Sequence, residues 1–245
     1  MTPDDSGKIM VAFAIEVLEI SEESIIKKLQ SAPDSVETAA KATKEWFRNC
    51  LSGFETAVDS VAEQDVLADA IKGLLFNATL APGGLKGHVS VFPSRGTYPC
   101  HYLWDTCFQN LALEYMNPQL AKDSLLLFAK CQRVDGKYEQ FFCSTWSRPR
   151  ETQPPLVGWA VRRLVDNSGK KDMDFIKTMF HSLEKNNTWW LDQRMTKYGV
   201  IYCPHGLETG QDDSPRFDEG PVLAVDMNSY LLSQMKATAG LGRCR

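Results

Sequence analysis

The stretch Gly206-Leu-Glu-Thr-Gly-Gln-Asp-Asp-Ser-Pro-Arg-Phe217 sets three carboxylates, Glu208, Asp212 and Asp213, beside Arg216 in a segment that cannot be regular helix. Gly206 and Gly210 loosen the backbone, and Pro215 fixes φ and removes a backbone donor. A loop this charged either sits in water or faces a polar ligand, because a buried charge requires a partner. Adjacent carboxylates in a cleft raise each other's pKa, which keeps one acid protonated near neutral pH. Cleavage of a glycosidic bond needs such an acid to protonate the leaving oxygen. A solvated connection between two helices has the same composition, so the segment alone leaves both readings open.

Two upstream segments add to the first. Tyr98-Pro-Cys-His-Tyr-Leu-Trp-Asp-Thr-Cys-Phe108 places Trp104 next to Asp105 where a helix is expected to begin. Sugar recognition pairs an aromatic face against the ring C–H groups with carboxylates that accept from hydroxyls. A core tryptophan followed by a capping aspartate gives the same two letters. Phe108 lies one helical turn beyond Trp104, so the two can share a face. The other segment is Thr152-Gln-Pro-Pro-Leu-Val-Gly-Trp-Ala160. Its Gln153 amide can both donate to and accept from a sugar diol. Pro154 and Pro155 suit a first helical turn.

Taken in order, the three segments resemble the motifs of glycoside hydrolase family 63. That family includes mannosyl-oligosaccharide glucosidases and mannosylglycerate hydrolases, inverting α-glycosidases built on an (α/α)6 barrel. The Trp-Asp-Thr-Cys-Phe form and the short loops are most similar to the mannosylglycerate hydrolase branch. The resemblance implies a mainly α fold, a partial (α/α)6 toroid with a short N-terminal β remnant. It implies hydrolysis of a mannosylglycerate-like α-glycoside, with a mannosyl-oligosaccharide α-glucosidase as the alternative within the family. A carbohydrate-binding half-barrel without catalysis is the alternative of a different class.

The resemblance assigns the general acid to Asp212, because related barrel glycosidases place one Asp three residues after Ser or Thr, here Thr209. Asp213 then caps a helix, pairs with Arg216 or touches substrate. Glu208 orients the loop or bonds the sugar, and Arg216 holds Asp213 or a substrate acid. Tyr98, Trp104, Asp105, Phe108, Gln153, Trp159, Glu208, Gly210, Asp213 and Arg216 together form the implied substrate-binding set. His101 is placed with Tyr98 at the rim of the bowl. The loop over residues 141–150 is a candidate cover, and Arg148, Arg150 or Arg216 would read a substrate carboxylate. No cofactor and no metal are implied.

The totals set limits on partners. A net charge of -4 without a basic run argues against nucleic acid. No apolar run approaches the ~20 residues of a membrane span. The start, Met1-Thr-Pro-Asp-Asp-Ser-Gly-Lys, lacks the pattern of a signal peptide, and a cytoplasmic location is expected. Seven cysteines without a regular framework read as reduced thiols. The pairs Cys100-His101 and Cys203 with His205 are too isolated for a metal site. Asn77 and Asn186 begin Asn-X-Thr sequons.

Along the chain, residues 9–20 read as a strand and 21–31 as a short helix or connector. We take residues 1–34 as an N-terminal segment, a remnant of a β-sandwich and linker. Residues 35–245 are then the N-terminal part of the barrel. Helices are expected from Ser35, over 63–79, 103–116, 118–132, 153–167, 172–195 and 221–239, with loops at 82–99 and 133–151 and an unstructured tail from Ala239. These are fewer than a complete toroid holds, and the family's general base, a Glu near its carboxyl end, has no counterpart here. The chain by itself is therefore expected not to turn over substrate, and to self-associate through apolar faces over 66–74 and 222–232.

Overall fold

The computed structural model describes residues 34, 36–49, 60–80, 88–143, 147–168 and 172–243. The chain divides into two units, Met1–Glu55 and Thr56–Arg245. In the first, residues 36–49 form a helix, α1, as the run of helix formers after Ser35 predicts. The strand expected over 9–20, and with it the β remnant, lies outside the described residues, as does the connector over 21–31.

The second unit opens with α2 (Val61–Phe76), started by a capping box in which Ser60 and Glu63 each take the other's backbone N–H. Helix was expected to residue 79. Instead Asn77 caps α2 by donating its backbone N–H to the Leu74 and Leu75 carbonyls. The chain then turns into β1 (Ala78–Leu80), antiparallel to β2 (Val89–Val91). A second short ladder joins β3 (His101–Tyr102) to β4 (Phe141–Phe142) in antiparallel register, His101 opposite Phe142 and Tyr102 opposite Phe141.

Helix α3 (Leu103–Met116) leaves β3 directly. Asn117 separates it from α4 (Pro118–Lys130), its side chain accepting from the Leu120 N–H while Pro118 takes the first helical position. Next come α5 (Val157–Asn167), α6 (Met173–Arg194) and α7 (Val225–Gly242). Helix α5 starts four residues later than expected. Residues 152–156 are not helical, because a residue before proline is pushed out of the α region; Thr152 is anchored by donating to the Tyr138 carbonyl at 2.7 Å. At the other end α7 continues through the supposed tail, where Leu241 is fully buried and Gly240 allows Arg162 to approach.

The helices alternate between two rows. Helix α3 packs on α5 and α5 on α7, while α4 packs on α6; α3 with α4 and α6 with α7 join the rows. This is a partial helical toroid. Leu103, Leu125, Phe128, Val161, Ile176 and Leu183 belong to its main apolar core. A smaller core of Trp189, Trp190, Ile201, Cys203, Met227 and Leu231 joins α6 to α7. Between α5 and α7 the contact is polar as well. Gln234 accepts from the Gly158 N–H at 3.2 Å and donates to Asn186 and Asn187 of α6. Asn186 is thus buried and engaged, which removes its sequon from the surface.

Some apolar side chains remain uncovered, among them Val61 and Val66 on α2 and Leu223, Val225 and Leu232 around the start of α7. Among the described residues no helix is long and apolar enough to cross a membrane.

Candidate active site

The first wall of the candidate site is built by the turn before α3. Tyr98 and Tyr102 meet edge to face with centroids 6.0 Å apart, and Tyr98 remains half exposed. Trp104 and Asp105 follow in the first turn of the helix. That turn has orphan N–H groups. One of them, on Trp104, donates to the side-chain carbonyl of Gln153 at 3.2 Å. Gln153 thereby joins the entrance of α5 to the entrance of α3, and it is itself nearly buried.

The second wall is the loop before α7. Two short 3-10 turns, Gly206–Glu208 and Pro215–Phe217, enclose the carboxylates. Gly206 sits so close to the backbone of residues 211 and 212 that a Cβ there would lie 2.6 Å from the Asp212 carbonyl oxygen. Gly210 adopts φ +69°, the left-handed region, directly against the indole of Trp104. These glycines fold the loop back on itself and bring it to the first wall. Tyr98, Tyr102, Trp104, Asp105, Gln140, Gln153, Gly210 and Asp212, with Pro93, line one cleft of about 230 Å³.

Of the candidate residues, Tyr98, Trp104, Asp105, Gln153, Gly210 and Asp212 meet at this cleft. Phe108 and Trp159 lie beside it, carrying a chain of edge-to-face ring contacts outward from Trp104 at 5.7 and 6.2 Å. Asp213 is exposed and does not line the cleft. Arg216 does not meet Asp213 either; its guanidinium is committed to Asp226, whose Oδ2 accepts from both terminal nitrogens at 3.1 Å. Glu208 is corrected from sugar binding to loop support. It is completely buried, and its Oε1 accepts from Arg194 at 2.8 Å. Removal from water raises the Glu208 pKa, opposed by the charges of Arg194, His205 and Lys137.

His101 is not at the rim. It is buried in the core between Phe128 and Phe142, with Nδ1 2.5 Å from the Ser90 hydroxyl. Burial drives its pKa down to about 3, so it is neutral at any working pH. The 141–150 segment starts as strand, with Phe141 and Phe142 buried rather than held over the cleft. Arg148 nevertheless comes near the site, donating to Gln140 Oε1 at 3.4 Å. Arg150 is exposed.

Three participants were not picked out from sequence. Tyr102 sits inside a quoted motif, and its alternation with Tyr98 was the available signal. Gln140 reaches the cleft because β4 pairs with β3, which leaves no local trace. Arg194, at the end of α6, reads as an ordinary helix-terminal cation.

The Asp105 carboxyl is held above its ordinary range chiefly by desolvation, with its own backbone N–H opposing and the nearby charge of Asp212 adding to the rise. An aromatic face, an amide and two carboxylates can hold a sugar ring and handle a proton beside it. No group of three or more His, Cys, Asp or Glu among the described residues is placed to bind a metal.

A family profile for the mannosylglycerate hydrolase MGH1-like glycoside hydrolase domain matches residues 98–243, well over half of the chain. The chain belongs to this family. The match to the MGH1-like glycoside hydrolase domain takes in every cleft residue except Pro93. Mannosylglycerate hydrolase MGH1 of Selaginella moellendorffii is 28% identical over 148 residues, covering 52% of this chain and 30% of that protein. The mannosylglycerate hydrolase of Thermus thermophilus is 29% identical over 150 residues, covering 52% of this chain and 36% of that protein. The fold agrees with the crystal structure of a GH63 mannosylglycerate hydrolase from Thermus thermophilus in complex with Tris and D-glycerate. The TM-score is 0.54 at 21% identity, over 71% of this chain and 50% of that one. The match thus spans about a third of the curated relatives and half of the solved one.

Proposed function

We propose that the cleft binds the glycosyl unit of a small α-glycoside of the mannosylglycerate kind, and that Asp212 is the general acid of an inverting hydrolysis. The observation that carries this reading is the meeting of Asp212 with Asp105, Trp104 and Gln153 in one cleft, from three separate segments of a glycoside hydrolase domain. Trp104 offers its ring to the sugar face, and Asp105 and Gln153 take its hydroxyls. Arg148, which donates to Gln140 and also pairs with Glu151, is the cation we assign to a glycerate-like carboxylate. Mannosylglycerate hydrolases among the relatives favour that acceptor over a glucosylated oligosaccharide.

Inversion requires a second carboxylate that activates water across the ring, about 6.5–9.5 Å from the acid. Glu208 cannot supply it, being buried and paired with Arg194. Among the described residues Asp105 is the other carboxylate at this cleft, and we assign it to the sugar. A second reading, carbohydrate binding without turnover by residues 1–245, follows from that assignment. We place the protein in the cytoplasm, and its uncovered apolar faces on α2 and α7 favour self-association.

The test is to purify residues 1–245 and present mannosylglycerate and glucosylated oligosaccharides, following binding by calorimetry and the product anomer by NMR. Release of the inverted sugar supports the hydrolase reading for this chain. Binding without release supports the second reading, and release of the retained anomer overturns the inverting assignment. A chain that binds neither compound overturns both.

A further inference from the structure

The register of the β3–β4 ladder brings together two cysteines far apart in sequence. His101 faces Phe142 and Tyr102 faces Phe141, so one step further along the same register Cys100 faces Cys143. The type of pair follows from the hydrogen bonds. Leu103 N donates to the Gln140 carbonyl at 3.0 Å. In an antiparallel ladder bonded and non-bonded pairs alternate, which makes the Cys100–Cys143 position non-bonded. Cα atoms at such a position approach to about 4.5 Å, within the roughly 4.4–6.8 Å span of a disulfide. The two thiols are close enough for Cys143 to raise the pKa of Cys100. Both are thiols here; Cys100 is fully buried and Cys143 half-buried.

We propose that Cys100 and Cys143 form a reversible disulfide site in the wall of the cleft. Cys100 stands between Tyr98 and Tyr102, and β4 follows directly on Gln140, all three of which line the cleft. The bond would tie these two segments covalently. Cys107, by contrast, donates its thiol hydrogen to the Leu103 carbonyl.

The chemistry balances with a peroxide as oxidant. Cys143, the more accessible, attacks a peroxide oxygen as thiolate; the O–O bond breaks, one water leaves and a sulfenic acid forms. The Cys100 sulfur then attacks the sulfenic sulfur, the S–O bond breaks and a second water leaves with the Cys100 proton. Burial and the neighbouring thiol push the Cys100 pKa up to about 12, so Cys100 attacks less readily than an exposed cysteine would.

The experiment treats residues 1–245 with hydrogen peroxide, blocks remaining thiols and maps tryptic peptides without reduction. A peptide pair joined through Cys100 and Cys143, released by dithiothreitol, is expected. Closing a loop of this length should raise the melting temperature of the oxidised protein by roughly 4–12 °C. Cys143→Ser should abolish both effects. Sulfenic or sulfonic acid on Cys143 with Cys100 still alkylated, or Cys143 joined to a different cysteine, overturns the proposal. The wild-type map decides even if the variant does not fold.

Discussion

Gly210 and Trp104 touch so closely that a Cβ on Gly210 would overlap Cζ2 of the indole. The contact sets how closely the acidic loop can approach the first wall, and it couples the conformation of the Asp212 segment to the tryptophan it faces. Gly210→Ala meets both the overlap and the positive φ of +69°. Overpacking and left-handed backbone together should cost about 2–4 kcal/mol, read by urea unfolding. Glycoside binding should weaken with it, since Trp104 must move.

Asp212→Asn keeps the shape of the side chain but has no proton to give. The expected result is near-normal sugar binding with hydrolysis reduced ~10²–10⁴-fold in a preparation that turns over substrate. A leaving group that needs no protonation should restore part of the rate. Wild-type turnover by this variant, with loss in Asp213→Asn, would move the acid to the neighbouring residue.

Asp105 links function to pH. Its folded pKa is raised by burial and by Asp212, so the folded chain holds this proton more tightly than the unfolded chain does. Its contribution to stability is therefore fullest below the ordinary carboxylate value of about 4 and is lost as pH rises through the raised one. Asp105→Asn removes that dependence. The variant should melt above the wild type at pH 7, the difference should shrink toward pH 4, and sugar binding should be lost. Glu208, shifted in the same direction, leaves a residual slope in both proteins.

Removing Arg194 strands a buried carboxylate. Arg194→Met should destabilise by about 3–5 kcal/mol, because Glu208 keeps its charge without a partner or must take up a proton. Adding Glu208→Leu should recover much of the loss. A double variant no more stable than Arg194→Met would show that the loss does not come from a stranded Glu208 charge.

The approach of α5 to α7 depends on Gly158, where a Cβ would lie 2.7 Å from Cγ of Gln234. Gly158→Ala should cost about 1–3 kcal/mol and disturb the Gln234 bonds to Asn186 and Asn187. Thermal melting of the single variant tests this directly.

How much of this was legible in the sequence depends on the range of the interaction. The Asn117–Pro118 boundary is local chemistry, a capping side chain and a missing donor, and it falls where the sequence places it. The spacing of apolar residues likewise marks α3 to α7 within a few positions. Motif order identifies the segments that come to the cleft, but not which side chains face it. Glu208 and Arg216 share a polar loop with Asp212, yet each turns away to a charge, Arg194 or Asp226, that only tertiary packing brings within reach. His101 looks like a site residue by its neighbours and is buried because a two-residue strand reverses its side chain relative to Tyr102. The start of α5 was misplaced because prolines that suit a first helical turn also restrain the residues before them.

The bond from the Trp104 N–H to Gln153 crosses 49 residues of sequence. Most amides of a helix exchange their hydrogen with water when the helix itself frays. This one is held by a side chain from the entrance to another helix, so it is freed when the two entrances separate, even if α3 remains wound. Its exchange rate is therefore a clock for opening of the cleft, set apart from the unfolding of the helices around it.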